Sequence, residues 1–209
     1  DVCSSDLDGT PHVITSTIEH SAVRESVHAW QAEGKITVTE LDVDANGVVS
    51  PDALKAAITP QTVLVSVMYV NNETGSIQPI RELAKTIRWY RKHNQTQFPY
   101  FHTDAIQEPS YLDIFMPRLG VDLMSLSSSK IYGPKWMGVL VTKPELTLVP
   151  LMHGGHHEFD LRPGTEDVAG CVAFALALEK ATQDREAETA RLADIKNSFL
   201  EKLESSQLD

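Results

Sequence analysis

Only two cysteines, Cys3 and Cys171, occur in 209 residues. Two thiols cannot build a disulfide framework, so a reducing compartment, the cytoplasm, is the expected setting. Basic residues are scarce as well. Eighteen Lys and Arg stand against 29 Asp and Glu, for a formal net charge of −11. Such an acidic chain is a poor match for nucleic acid or an anionic membrane surface, and neither is expected as a direct partner. Long apolar runs are missing. The longest, Val63 to Val70, is interrupted by Ser66 and falls far short of the roughly 20 residues that a membrane-spanning helix needs. There is no initiator Met and no basic-then-apolar leader. Residues Asp1 to Leu7 look like a translated sequencing-library adapter and are expected to be non-native. The last stretch, Glu186 to Leu203, is a charged helical pattern with no Gly or Pro stop. Both ends predict an internal fragment of a longer product. With 42% hydrophobic and 22% charged residues, disorder and collagen-like structure are excluded.

What is present alternates between two periods. His12 to Ser16 is a short β-branched run. Ala22, Val23, Val27 and Trp30 recur at helical spacing between Ile18 and Gly34. Lys35 to Leu41 alternates apolar and polar, as a strand does. Asn46-Gly47 marks a turn, and Ser50-Pro51 opens a helix to Ala57 with a cap and a first-turn proline. Val63 to Val70 reads as a strand buried on both faces. A helix is predicted over Ile80 to His93. Further strands are predicted at Tyr100–Thr103, Leu123–Leu126 and Gly138–Thr142, and helix again from Asp167 to Leu203, with room for one break. This alternation predicts an α/β fold of three layers, α/β/α, around a mostly parallel sheet.

In such sheets ligands bind at the carboxyl ends of strands. Three polar clusters come directly after strands here: Asn71-Asn72-Glu73-Thr74-Gly75, Asp104-Ala105-Ile106-Gln107 and Ser127-Ser128-Ser129-Lys130. Hydroxyls beside a Lys suit a phosphate, and a desolvated Lys amine is a nucleophile for carbonyl carbon. The same residues also read as a solvated loop. Asp104, ending a buried strand, needs a cationic partner to offset its desolvation. The ring nitrogen of pyridoxal phosphate is one such partner; a plain turn cap is the alternative. His20, at a helix start, reads first as structural.

These clusters, with Ile18-Glu19-His20-Ser21-Ala22-Val23, Ile131-Tyr132-Gly133-Pro134-Lys135, Gly154-Gly155-His156-His157-Glu158 and Arg162-Pro163-Gly164-Thr165-Glu166, closely resemble the cysteine desulfurases of the class V aminotransferase group. The resemblance runs from about His12 to the last helix. It implies the large domain of a fold-type-I pyridoxal-phosphate enzyme, incomplete at both ends. Residues 8–180 would form that partial domain, and 181–209 a helix leading to a small C-terminal domain. It implies pyridoxal 5'-phosphate as cofactor and no metal. Lys130 matches the lysine that bonds to the cofactor, and Asp104 the partner of the ring nitrogen. His20 matches the histidine stacked on the ring. Gln107 and Asn72 match the residues near its phenolic oxygen, Asn72 also facing the substrate carboxylate. Ser127 matches a phosphate ligand, and Thr165 a threonine reaching a phosphate across a dimer interface. The reaction implied turns L-cysteine into L-alanine and passes sulfur on as a persulfide, within a homodimer. A sulfur acceptor is implied too, such as an iron–sulfur scaffold or a tRNA-thiolation protein.

The chain also departs from that pattern. Ser129 stands where a His is frequent, and its hydroxyl is expected to serve the phosphate instead. Trp136 and His156 stand where Gly is common, Phe159 where Arg is common, and Glu108-Pro109 replaces small residues. The family's Gly-Ala-Thr phosphate loop would precede residue 8, and its catalytic cysteine would lie beyond Asp209. Cys171, among Val168, Ala169, Val172 and Ala173, is expected to be a small core residue. Another class V enzyme, an aminotransferase or selenocysteine lyase, is the enzymatic alternative. The non-enzymatic one is a cofactor-binding fragment without turnover. A non-haem iron site spelled by His102, Asp104 and His153, and a zinc cluster of His153, His156 and His157, are weaker readings.

Overall fold

The computed structural model describes residues 9–206, so the expectation for Asp1–Leu7 lies outside the described residues. Strand β1 (His12–Ser16) is buried along its whole length. Next along the chain are helix α1 (Ser21–Ala32), β2 (Thr37–Leu41), α2 (Pro51–Ala57) and β3 (Thr62–Ser66). The Ser50 hydroxyl accepts the Asp52 and Ala53 N–H groups, and Pro51 occupies the first turn of α2, where its missing donor is not needed. Helix α3 (Ile80–Asn94) buries Ile80, Leu83, Ala84 and Ile87, a stripe at i, i+3, i+4 and i+7. Then come β4 (Tyr100–Asp104), the single turn α4 (Met116–Leu119), β5 (Leu123–Ser127) and β6 (Gly138–Thr142). Helix α5 (Val168–Ser205) closes the described chain.

The sheet order is β2-β1-β3-β4-β5-β6. The first five strands are parallel, and β6 pairs antiparallel with β5. The chain steps from β1 out to β2, then returns to add β3 on the other side of β1. Loops after β1 and β3 therefore diverge at one sheet edge, the switch point where α/β folds bind ligands. The apolar core divides into two clusters. Val13, Ile36 and Val63 gather Val27 of α1. The larger cluster joins Ile14, Val65, Phe101 and Met124 to Leu54 of α2, to Leu83 and Ile87 of α3, and to Phe174 of α5.

Two expectations need correction. Strand β3 ends at Ser66, not Val70. Beyond it, Val67 and Tyr69 still donate to the His102 and Asp104 carbonyls, at 3.2 and 2.9 Å, before Val70 bridges to Ile77. Helix α5 runs unbroken through residues 180 and 181. Cys171 is exposed, not a core residue. The inward side of α5 carries Gly170, Phe174, Ala177, Leu178 and Ala181. Cys171 sits about a quarter turn round from Gly170, toward the exposed Val168 and Val172.

Candidate functional site

The site is assembled from the segments at the carboxyl ends of β1, β3, β4 and β5. After β1 the chain turns at Glu19-His20. His20 caps α1, its Nδ1 accepting the Ala22 N–H at 3.2 Å, and its ring stays exposed. Glu19 goes the other way and is buried. Its Oε1 accepts the Ser16 hydroxyl at 2.6 Å and the Met68 N–H at 2.7 Å, while its Oε2 has no partner among the described residues. Burial pushes this carboxyl up to about 7, against the two hydrogen bonds, with the Asp104 charge adding to the rise.

After β3 the polar loop is organised by Asn71, a residue the motif reading did not single out. Its Oδ1 accepts the Glu73 and Thr74 N–H groups and the Thr74 hydroxyl, and its Nδ2 donates to the Ile18 carbonyl at 2.9 Å. This leaves the neighbouring Asn72 exposed and held beside the His20 turn. The available signal was the loop itself: an Asn opening a tight turn bonds its own backbone two and three residues on.

Asp104 ends β4 opposite Ser125 of β5. Its side chain is buried and accepts the Ile106 N–H at 3.1 Å. It forms no ion pair among the described residues. Burial raises its carboxyl above the ordinary range, opposed by the Ile106 N–H and by the nearby His20. So His20, Glu19 and Asp104 share one electrostatic neighbourhood. Two buried carboxyls there lack a paired cation, and a cationic ring nitrogen is the complement such a pocket wants. The residues present therefore fit pyridoxal phosphate. Gln107, half-buried, comes next in the same loop.

After β5 the chain tightens into a 3-10 turn, Ser128–Lys130. Ser128 is fully buried and donates to the Pro134 and Met137 carbonyls, pinning the return of the chain toward β6. Gly133 allows this closure: a Cβ there would lie 2.9 Å from the Ser128 Cβ and 3.1 Å from the Ala177 Cβ of α5. With Ser128 turned inward, Ser127 and Ser129 share a hydroxyl contact at 3.1 Å, a pair suited to phosphate oxygens. Lys130 is exposed. The desolvated lysine expected from sequence is thus not produced by this chain's own packing. Thr165 lies exposed in the loop before α5 and makes no hydrogen bond to the other site residues.

The metal readings fail. His102 is half-buried, its Nδ1 2.8 Å from the Ser66 hydroxyl and its Nε2 2.9 Å from the Ser125 hydroxyl, so both ring nitrogens are engaged across three strands. Burial lowers it to about 4. His156 pairs with Asp160 at the surface. No group of three metal-ligating side chains occurs among the described residues.

Comparison with known proteins places the chain in a family. Residues 2–208 match the aminotransferase class-V family. The chain belongs to that family. It is 41% identical over 193 residues to a cysteine desulfurase IscS of Dictyoglomus turgidum, covering 92% of this chain and 47% of the relative. It is 40% identical over 202 residues to an IscS of Methanosarcina thermophila, covering 97% and 48%. The chain thus spans about half the length of the curated relatives it matches. Among solved structures, a NifS-like protein superposes with a TM-score of 0.87 at 32% identity, over 94% of this chain and 52% of the other. SspA in complex with cysteine gives a TM-score of 0.75 at 37% identity, over 82% and 48%.

Proposed function

We propose that this chain is the cofactor-binding part of a cysteine desulfurase, a homodimer of the cytoplasm that converts L-cysteine to L-alanine and hands sulfur on as a persulfide. The observation that carries this reading is Asp104: a buried carboxyl at a strand end, at the switch edge of a mostly parallel sheet, with no cation paired to it among the described residues. Relatives named cysteine desulfurase at about 40% identity support the reaction, and a cysteine complex of a related structure supports the substrate. Bound pyridoxal phosphate would supply an electron-accepting ring that stabilises negative charge at the substrate Cα. Lys130 would anchor the cofactor through its amine and, once released, carry the Cα proton. Asp104 would keep the ring nitrogen charged. His20 would cover the ring. Gln107 and Asn72 would orient the phenolic oxygen, and Asn72 the substrate carboxylate. Ser127 and Ser129 would hold the phosphate, joined by Thr165 of the second subunit. The exposure of Thr165 and Lys130 within one chain is what a site completed by a partner and by further chain requires. Residues 8–180 would belong to this cofactor domain, and 181–209 would lead to the small domain. The persulfide would pass to an acceptor such as an iron–sulfur scaffold or a tRNA-thiolation protein.

The test is to supply the complete protein with pyridoxal phosphate and L-cysteine and to follow alanine and sulfide. Both should form in the wild type and neither in Lys130→Ala. Amino transfer from other amino acids with no alanine from cysteine would assign the chain to the aminotransferase branch instead.

A further inference from the structure

One carboxyl beside the site has no role in the desulfurase chemistry. Glu108 is the residue after Gln107 and lies four residues past Asp104. Its side chain is 1% exposed, and neither carboxyl oxygen has a hydrogen-bond partner among the described residues. Only its main chain is engaged: the carbonyl accepts the Tyr111 and Leu112 N–H groups at 2.7 and 2.8 Å. The carboxyl lies near the backbone N–H groups of Val70, Gln107 and Glu108 itself without closing onto any of them. Val70 immediately precedes Asn71-Asn72, so these donors belong to the two loops that carry Asn72 and Gln107.

The titratable groups facing Glu108 are Asp104, at the end of β4, and Tyr69, beyond β3. Around Tyr69 lie Arg81 of α3, Asp113, and Arg185 of α5. Arg81 is turned toward Asp113, and Arg185 donates to the Leu112 carbonyl. No cation pairs with Glu108 among the described residues. A charged, unpaired carboxylate is strongly disfavoured in such a place. Burial pushes Glu108 up to about 8, and the Asp104 charge adds to the rise.

We propose that Glu108 is a positioning residue of this site: as a neutral carboxyl packed behind Asp104 and Gln107 it places no second charge beside Asp104, and its ionisation draws in the Val70 and Gln107 N–H groups and displaces the loops that carry Asn72 and Gln107. The inference rests on the reading of this site as a pyridoxal-phosphate site. Its consequence is a site that loosens its cofactor as Glu108 loses its proton in mild alkali.

Two measurements separate this inference from the reading beneath it. The first uses no cofactor. The protein is labelled with 13C at the Glu carboxyl carbons and titrated by NMR. Two Glu carboxyls should titrate above the ordinary acidic range, near 7 and near 8, and only the one near 8 should vanish from the spectrum in Glu108→Gln. A spectrum in which no Glu signal titrating near 8 is lost in Glu108→Gln overturns the proposal, whatever the cofactor does. The second uses the complete protein reconstituted with pyridoxal phosphate, with affinity read from its visible band between about pH 6 and 9. Wild type should weaken several-fold across that range, while Glu108→Gln should match wild type at the acid end and stay flat. Parallel profiles in the two proteins overturn the positioning role. A protein that never holds the cofactor sinks the functional reading and leaves the NMR result to decide the protonation. If Glu108→Gln does not fold, Glu108→Met, neutral and of similar length, replaces it with the same flat profile expected.

Discussion

The Glu19 carboxylate accepts the Met68 N–H at 2.7 Å, across 49 residues of chain. With the Asn71 bond to the Ile18 carbonyl, it ties the turn that carries His20 to the loop that carries Asn72. Strands β1 and β3 are neighbours in the sheet although β2 and α2 separate them in sequence, so these side chains, not a short connection, hold the switch point in register. Glu19→Ala strands the buried Met68 N–H and should lower unfolding free energy by about 1–3 kcal/mol. Urea unfolding measures it, and an unchanged midpoint at unchanged slope contradicts the role.

Stability should fall between about pH 7 and 8.5. Glu19 and Glu108 are raised to about 7 and about 8 in the fold, so the folded state holds more protons than the unfolded state up to that range, and stability drops as pH rises through it. His102, lowered to about 4 by burial, acts oppositely: its contribution is present above the unfolded value and lost as pH falls. The two effects overlap in mild acid, but above neutrality the carboxyls act alone. The thermal midpoint should be lower at about pH 8.5 than at about pH 7 in wild type, and the gap should be smaller in Glu108→Gln. A midpoint that rises with pH over this interval contradicts the assignment.

Asp122 should be the most sensitive charged residue away from the site. It is buried, takes Arg91 of α3 and Lys143 beyond β6, the latter at 2.6 Å, and accepts the Phe101 N–H at 2.8 Å. Burial alone would raise its carboxyl, but the hydrogen bonds from Arg91 and Lys143 outweigh that and hold it below the ordinary value. Asp122→Ala releases Arg91 and Lys143, both half-buried, and strands the buried Phe101 N–H, and should lose about 1–3 kcal/mol, read by chemical denaturation. A loss comparable to that of an exposed pair would show that Arg91 and Lys143 find solvent instead.

The sequence was most legible where one local rule acts alone. Ser50-Pro51 placed α2, β-branched runs placed β1 and β6, and the α3 stripe was spaced for a buried face. The motif residues His20, Asp104 and Lys130 were found at strand and helix ends, as α/β topology requires. What escaped was set by tertiary context. The apolar run Val63–Val70 reads as one strand, yet regular pairing stops at Ser66, and the chain stays tied to β4 only as far as Tyr69 before the Asn71 loop begins. Asn71 and Glu19 carry no chemistry in the motif, and their bonds reach residues about fifty positions away. The exposure of Cys171 depends on which side of a long helix meets the core, and α4 is a single turn with no periodic pattern to betray it.

Asp104→Asn should separate binding from chemistry. The hydroxyls of Ser127 and Ser129 remain, so pyridoxal phosphate should still bind with modest loss, whereas alanine formation from cysteine should fall by orders of magnitude as the ring nitrogen loses its counter-charge. Kinetics of the reconstituted variant check this. Near-normal turnover would mean another group holds the ring nitrogen.

The most direct measurement is the site of covalent attachment. The complete protein, loaded with pyridoxal phosphate and reduced with borohydride, is digested and mapped by mass spectrometry. The account predicts the reduced cofactor on Lys130 and its loss in Lys130→Ala. Attachment to Lys135 or Lys143 in wild type, or no attachment to any lysine, would contradict it.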